Sequence, residues 1–185
     1  NPKLDGVPLR HQVLLPPRQG LSGRDPKLRL DEIHPDPPLF ARHALERAEV
    51  RRLIDWFLVK TEGDVTRALV RERAFKLQMS AAEGGGAPDS AVLRTARANI
   101  RQHMRYLGWL AQNRNWLAGD TLTAANLAAG AAISILDYLG EIDWSGEPSA
   151  RDWYQRIKSR PSFRGLLADR VRRLPPAPHY SDLDF

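Results

Sequence analysis

Few side chains in this sequence are spaced for chemistry. The densest group is the terminal run His179-Tyr180-Ser181-Asp182-Leu183-Asp184-Phe185, which carries an imidazole, a phenol and two carboxylates. Asp182 and Asp184 flank Leu183, but two acids without a fixed separation do not make a general acid–base pair, and they read as tail charges. His34, His43, His103 and His179 lack metal-ligand spacing and read as structural or surface residues. His11 lies among residues with no other signal. The chain has no cysteine, which removes disulfides, thiolate metal sites and a cysteine nucleophile. Gly84-Gly85-Gly86 is not followed by Gly-Lys-Ser/Thr, so it reads as a flexible loop and not a phosphate cradle. The residues by themselves offer no catalytic, cofactor or metal site.

Charge and composition exclude further classes. The formal net charge is +6. Its arginines alternate with acids over 42–52 and 67–76, the pattern of solvated helix faces. With no zinc-finger spacing and no RNP signature, nucleic acid is not an expected partner. An apolar content of 42% with five Trp points to a packed core. No apolar stretch is long enough to span a bilayer, and the first residues lack a secretory core behind a basic start. Together these features favour a cytoplasmic location with no membrane partner.

The elements divide the chain unequally. Prolines 2, 8, 16, 17, 26, 35, 37 and 38 exclude a long helix over the first 40 residues. Val13-Leu14-Leu15 is the one short strand candidate there. From Phe40 the period becomes helical, with Leu45, Ala48, Leu53, Trp56 and Phe57 on one face. A break is expected at 61–64, with Asp64 capping a second, arginine-rich helix over 65–80. Leu93, Ala96, Ile100, Met104, Leu107 and Leu110 mark a long third helix. Residues 124–139 carry no charge until Asp137 and predict the buried central helix of a bundle. Pro148 and Pro161 start two more helices. Residues 174–178 then impose an extended tail.

The most informative segment is Trp116-Leu117-Ala118-Gly119-Asp120-Thr121-Leu122-Thr123-Ala124-Ala125-Asn126-Leu127. Thr123 is placed as an N-cap whose hydroxyl accepts the N–H three residues on. Asn126 is placed to reach back to the Thr123 N–H, and Leu122 and Leu127 to form a hydrophobic staple. This segment resembles the Leu-x-Gly-Asp-x-x-Thr-x-Ala-Asp element that opens the central helix of the glutathione S-transferase C-terminal domain, with Asn126 in place of the final Asp. Arg160-Pro161-Ser162-Phe163 and the helix order match the same family. The resemblance covers roughly four-fifths of the chain. It implies an all-α, GST C-terminal-like helical bundle over 37–174 and a cytoplasmic homodimer. It also makes Tyr106 and Trp109 candidate linings of an electrophile pocket, although interhelical packing is the reading that aromatic residues on a helix face favour.

The family holds glutathione in a thioredoxin-like N-terminal domain, and that domain is incomplete in this sequence. Asn1-Pro2 and Val7-Pro8-Leu9 resemble its cis-Pro element, and residues 30–39 resemble its last helix and the linker. Between them the acidic-residue–Ser pair that grips glutathione is not recognisable: Leu21 precedes Ser22 where the acid belongs. No thiol-activating residue is found. Residues 1–36 therefore read as a truncated thioredoxin-like α/β remnant, and glutathione is implied by the resemblance alone. A narrower resemblance lies in 136–141, 152–164 and the tail over 175–185. These look like the branch of bacterial GST-like proteins that bind the tubulin-like division protein FtsZ without known dependence on transferase chemistry. It implies FtsZ as partner. It also gives the tail residues His179, Tyr180, Asp182, Leu183, Asp184 and Phe185 two readings: a strap packed on the domain, or a docking peptide. The alternative function is glutathione conjugation to electrophiles, with the catalytic half missing.

Overall fold

The computed structural model describes Asp31 and residues 33–185. The strand expected at Val13–Leu15 and most of the expected remnant domain lie outside the described residues. The α-helices are α1 (Ala44–Asp55), α2 (Arg67–Val70), α3 (Ser90–Asn113), α4 (Ala124–Tyr138), α5 (Pro148–Lys158) and α6 (Pro161–Leu167). Among the described residues no strand forms, apart from two isolated bridges at Trp116–Gly119 and Val171–Leu174. No described helix is long and apolar enough to cross a membrane.

The break expected at 61–64 does not occur. The chain is helical without interruption over 44–75, with α segments alternating with π-helical segments at Trp56–Lys60, Glu62–Thr66 and Arg71–Phe75. The cause is a four-residue repeat of buried positions: Leu53, Phe57, Thr61, Val65 and Leu69. In a pure α-helix such a stripe drifts by about 40° per step. Wider turns turn less per residue, so interleaving them keeps the stripe on the core. The polar residues that suggested a break serve as lateral anchors. The His103 ring bridges Thr61 Oγ1 at 3.1 Å and Asp64 Oδ2 at 3.2 Å, and Asn99 Nδ2 donates to the Asp64 carbonyl. Burial lowers the His103 pKa more than Asp64 raises it. The expected first face also needs correction. Leu53 and Phe57 of that face are buried and Trp56 packs on the core, but Leu45 and Ala48 are exposed, and Val50 and Ile54 take the inward positions in their place.

The remaining helices follow their sequence patterns. Asp89 caps α3, accepting the Ala91 and Val92 N–H groups. Helix α3 buries Ala96, Ile100, Met104, Leu107 and Leu110 and packs chiefly on α5, while α1 packs on α4. Helix α4 is the central element, with most of its residues buried. It ends at Gly140, whose φ of +68° suits glycine. The Gly140 N–H bonds to Asp137 O and the Glu141 N–H to Leu136 O, a Schellman pair. This turn tucks Glu141 inward, where it accepts from Arg73 at 2.8 Å and Arg97 at 2.7 Å.

A second carboxylate joins α1 to the end of α3. Glu49 accepts from Arg52 at 2.7 Å and from Arg114 at 2.7 Å. Its hydrogen bond from Arg52, supported by Arg114 and opposed by partial burial, lowers its pKa from 4.5 to about 2. A depressed carboxylate stabilises the fold above its unfolded pKa, and that contribution is lost as pH falls. Glu49→Gln is therefore expected to remove pH-dependent stability between about pH 4.5 and 2, on the order of 1 kcal/mol because Arg52 is solvated. Urea unfolding at pH 6 and pH 3 would measure it; an unchanged difference between the two pH values would refute it.

Candidate functional site

Two buried polar groups, one near each end of α4, organise the surfaces that could carry function. At the N-terminal end Asn126 is fully buried. Its Oδ1 accepts the Leu117 N–H and the Trp153 Nε1–H, each at 3.1 Å, and its Nδ2 donates to Thr123 Oγ1 at 3.2 Å. This differs from the expected reciprocal cap. Thr123 makes no side-chain bond to the helix backbone, and the Asn126 N–H bonds to the Thr123 carbonyl. The Asn126 amide is committed to the preceding loop and to α5, so it does not reach the Thr123 N–H. Leu122 is half-buried on the core, while Leu127 is exposed beside Phe40, Ile54 and Leu58.

At the C-terminal end Asp137 and Lys158 are both inaccessible to solvent and lie 3.3 Å apart. Asp137 also accepts from Trp144 Nε1 at 3.1 Å and pairs with His179 Nε2 at 2.9 Å. The Lys158 ammonium lies 4.2 Å from the Phe185 ring centre, with Tyr154 and Tyr180 at 5.6 and 5.5 Å. It also donates to the His179 carbonyl at 3.4 Å. Burial lowers the Lys158 pKa, and Asp137 opposes that shift. Burial raises both Tyr154 and Tyr180, so these phenols stay protonated at neutral pH.

The tail is thus a strap built onto this pair. A 3₁₀ turn at Pro178–Ser181 replaces a fully extended run and aims Tyr180 inward, where its hydroxyl meets Ser134 Oγ at 3.0 Å. The Phe185 ring packs against Trp144 and Tyr154, and its carbonyl accepts from Gln155. His179, Tyr180 and Phe185 therefore face the domain. Asp182 and Asp184 are exposed, with Leu183 half-buried between them. Sequence reasoning missed Asp137 and Lys158 as the seat. The signal was present: Asp137 is the one charge in α4, and Lys158 lies four residues after Tyr154 and next to Ile157 on the apolar side of α5.

Tyr106 and Trp109 come together with Trp56 as an open aromatic ladder. Ring centres are 4.5 Å apart for Trp56–Tyr106 and 6.3 Å for Tyr106–Trp109. Arg52 donates to the Tyr106 hydroxyl at 2.6 Å, and Arg114 lies over Trp109 at 6.0 Å. Among the described residues no three His, Cys, Asp or Glu side chains cluster as metal ligands.

The long first helix, the buried central helix and the two shorter helices closing over it have the arrangement of the C-terminal domain of the glutathione transferases. The model of that domain, "Glutathione S-transferase, C-terminal domain", matches residues 68–161. The chain belongs to the glutathione S-transferase family. It is 44% identical over 156 residues to FtsZ-localized protein A of Caulobacter vibrioides, covering 84% of this chain and 67% of that protein. The crystal structure of a glutathione S-transferase from Sinorhizobium meliloti 1021 is 63% identical with a TM-score of 0.81, covering 85% of this chain and 70% of that one. The structure of FzlA from C. crescentus is 42% identical with a TM-score of 0.78, covering 85% and 68%.

Two stability outcomes follow from these hubs. Asn126→Ala leaves two buried N–H groups without an acceptor and should cost about 2–4 kcal/mol, whereas Asn126→Asp keeps both acceptor bonds and should stay within about 1 kcal/mol of the parent. Lys158→Met strands the Asp137 charge and should cost about 3 kcal/mol, with most of it recovered by adding Asp137→Asn. Urea titrations of the four variants measure both; a Lys158→Met protein as stable as the parent would mean the pair does not hold this end of α4.

Proposed function

We propose that this chain is a non-catalytic, GST-like adaptor that binds filaments of the division protein FtsZ. The 44% identity to FtsZ-localized protein A, extending over most of the chain, is the observation that carries this reading. Residues 37–174 are the binding scaffold, residues 1–36 part of a thioredoxin-like domain and its linker, and residues 175–185 the recognition strap. In the seated strap the outward groups are Asp182, Asp184 and the free flank of Leu183. A partner reading the strap in place meets two carboxylates around one apolar side chain. We further propose that the chain works in the cytoplasm as a homodimer, as its resemblance implies.

Co-sedimentation with polymerised FtsZ tests the proposal. The full chain is expected to pellet with filaments. Asp182→Asn with Asp184→Lys should weaken this about tenfold with little change in the thermal melt, because both residues are exposed and the Asn places no cation near Lys158. Absence of the parent chain from the pellet would sink the adaptor reading. Unaltered binding of the double variant would remove the strap from it.

Identity to proteins described as glutathione S-transferases favours a second reading, conjugation of glutathione to an electrophile. The Trp56–Tyr106–Trp109 ladder would then supply the aromatic wall. No thiol-activating residue is recognisable in the sequence, so turnover of chlorodinitrobenzene with glutathione is expected to match the uncatalysed rate. Saturable turnover lost on Tyr106→Ala would favour this reading over the adaptor.

A further inference from the structure

The Lys158 ammonium must place its N–H groups with no solvent in reach. Asp137 Oδ2 takes one contact at 3.3 Å. The strap supplies two more: the His179 carbonyl at 3.4 Å and the Phe185 ring, whose centre lies 4.2 Å away. Removing the charge therefore removes much of what holds the strap in place. Asp137 is left ionised without its cation in a dry site, and the Phe185 face loses the cation it covers. The linkage runs both ways. A seated strap shields the amine, and a neutral amine disfavours the seat by the same free energy. The strap is also lightly tied. Among the described residues, one main-chain bond joins 175–185 to the rest of the domain, from the Ala177 N–H to Tyr138 O at 2.8 Å. Its other hydrogen bonds to the domain involve side chains: His179 on Asp137, Tyr180 on Ser134, Lys158 on the His179 carbonyl and Gln155 on the Phe185 carbonyl. Terminal segments held in this way open locally, without global unfolding.

We propose that Lys158 is an acyl-acceptor site gated by the strap, and that acylation there holds the strap open. When the strap lifts, the amine meets water beside Asp137. Its unprotonated nitrogen attacks the acyl carbon of an acyl phosphate. A C–N bond forms, the C–O bond to phosphate breaks, and phosphate leaves with that electron pair. The nitrogen gives up one proton to water and becomes an amide. The product offers no charge to Asp137 or to the Phe185 face, and the added acyl group competes with the Phe185 ring for the space over the nitrogen. Burial holds the Lys158 pKa below the usual lysine value, against the pull of Asp137, so a partly opened site keeps more of the unprotonated amine than a surface lysine does. Lys60 and Lys76 differ. Each pairs with a carboxylate four residues away, Asp64 and Glu72, and neither pair involves the strap. The inference concerns the position of the strap and holds whether or not the strap binds a division filament.

Acetyl phosphate tests this on the full chain, with peptide mass spectrometry reading each lysine and hydrogen exchange reading the strap. In the parent, Lys158 is expected to acetylate about tenfold more slowly than the half-exposed Lys60. Phe185→Ala should raise the Lys158 rate about tenfold and leave Lys60 unchanged. In the acetylated fraction, exchange at the Ala177, Tyr180 and Asp182 amides should quicken about tenfold, while Leu107 and Leu110 in α3 stay protected. Circular dichroism melts would confirm folding, and Tyr180→Ala replaces Phe185→Ala if that variant melts early. Lys158 acetylating as fast as Lys60 in the parent would remove the gate. A Lys158 left unmodified when the strap is opened, or acetylated beneath a strap that keeps its protection, overturns the proposal.

Discussion

The burial of one carboxylate governs the architecture around the C-terminal end of the central helix. Asp137 lies on an otherwise apolar helix and has no access to water. An ionised carboxylate there costs several kcal/mol unless donors surround it. Three do, and they come from three separate segments: Trp144 from the loop after α4, Lys158 from the end of α5, and His179 from the strap. Each segment must therefore arrive at a defined position for the charge to be tolerated. Lys158 imposes the same demand in turn. Its ammonium is buried too, and the faces of Phe185, Tyr154 and Tyr180 supply the negative potential that Asp137 alone leaves incomplete.

The same logic recurs with neutral and half-exposed groups. Asn126 fixes the N-terminal end of α4 by drawing in Leu117 from the preceding loop and Trp153 from α5. Glu141 ties α3 to the arginine-rich helical run, and Glu49 ties α1 to the residue after α3. Apolar burial supplies most of the stabilisation but has no direction. These four polar residues supply direction, since an unmet partner at any of them costs more than the bond itself contributes. The central helix is thus located by what its buried polar atoms require, as well as by what its alanines allow.

This division explains which parts of the molecule were legible in the sequence. Helices α3 and α4 were readable because period and composition agreed: a clean apolar stripe in one, near absence of charge in the other. The proline-led starts of α5 and α6 were readable for a local reason, the fixed φ of proline. The run over 44–75 was misread at Thr61 and Asp64. Residues that cap a helix in isolation here serve α3 from within a helix, and only the position of His103 reveals it. Asn126 and Thr123 were legible as a polar pair at a helix start, but not the partners of the amide, which lie 9 and 27 residues away. Asp137 was visible as an isolated charge. Its partners were not, because nothing in the local sequence links position 137 with 158 or 179.

A strap held this way changes what recognition by it would involve. A disordered tail that folds on a partner gives up conformational entropy at the moment of binding, and its affinity falls accordingly. Here that cost is met within the folded chain, by Tyr180 on Ser134, His179 on Asp137 and Phe185 over Lys158. Asp182 and Asp184 are then displayed at fixed positions on a folded surface. A partner that engages them in place reads the folded state of the whole domain. One that extracts the strap must first break a buried ion-pair cluster and expose Asp137 and Lys158 to water. Substitutions at the seat separate the two routes, since weakening it impairs the first and favours the second.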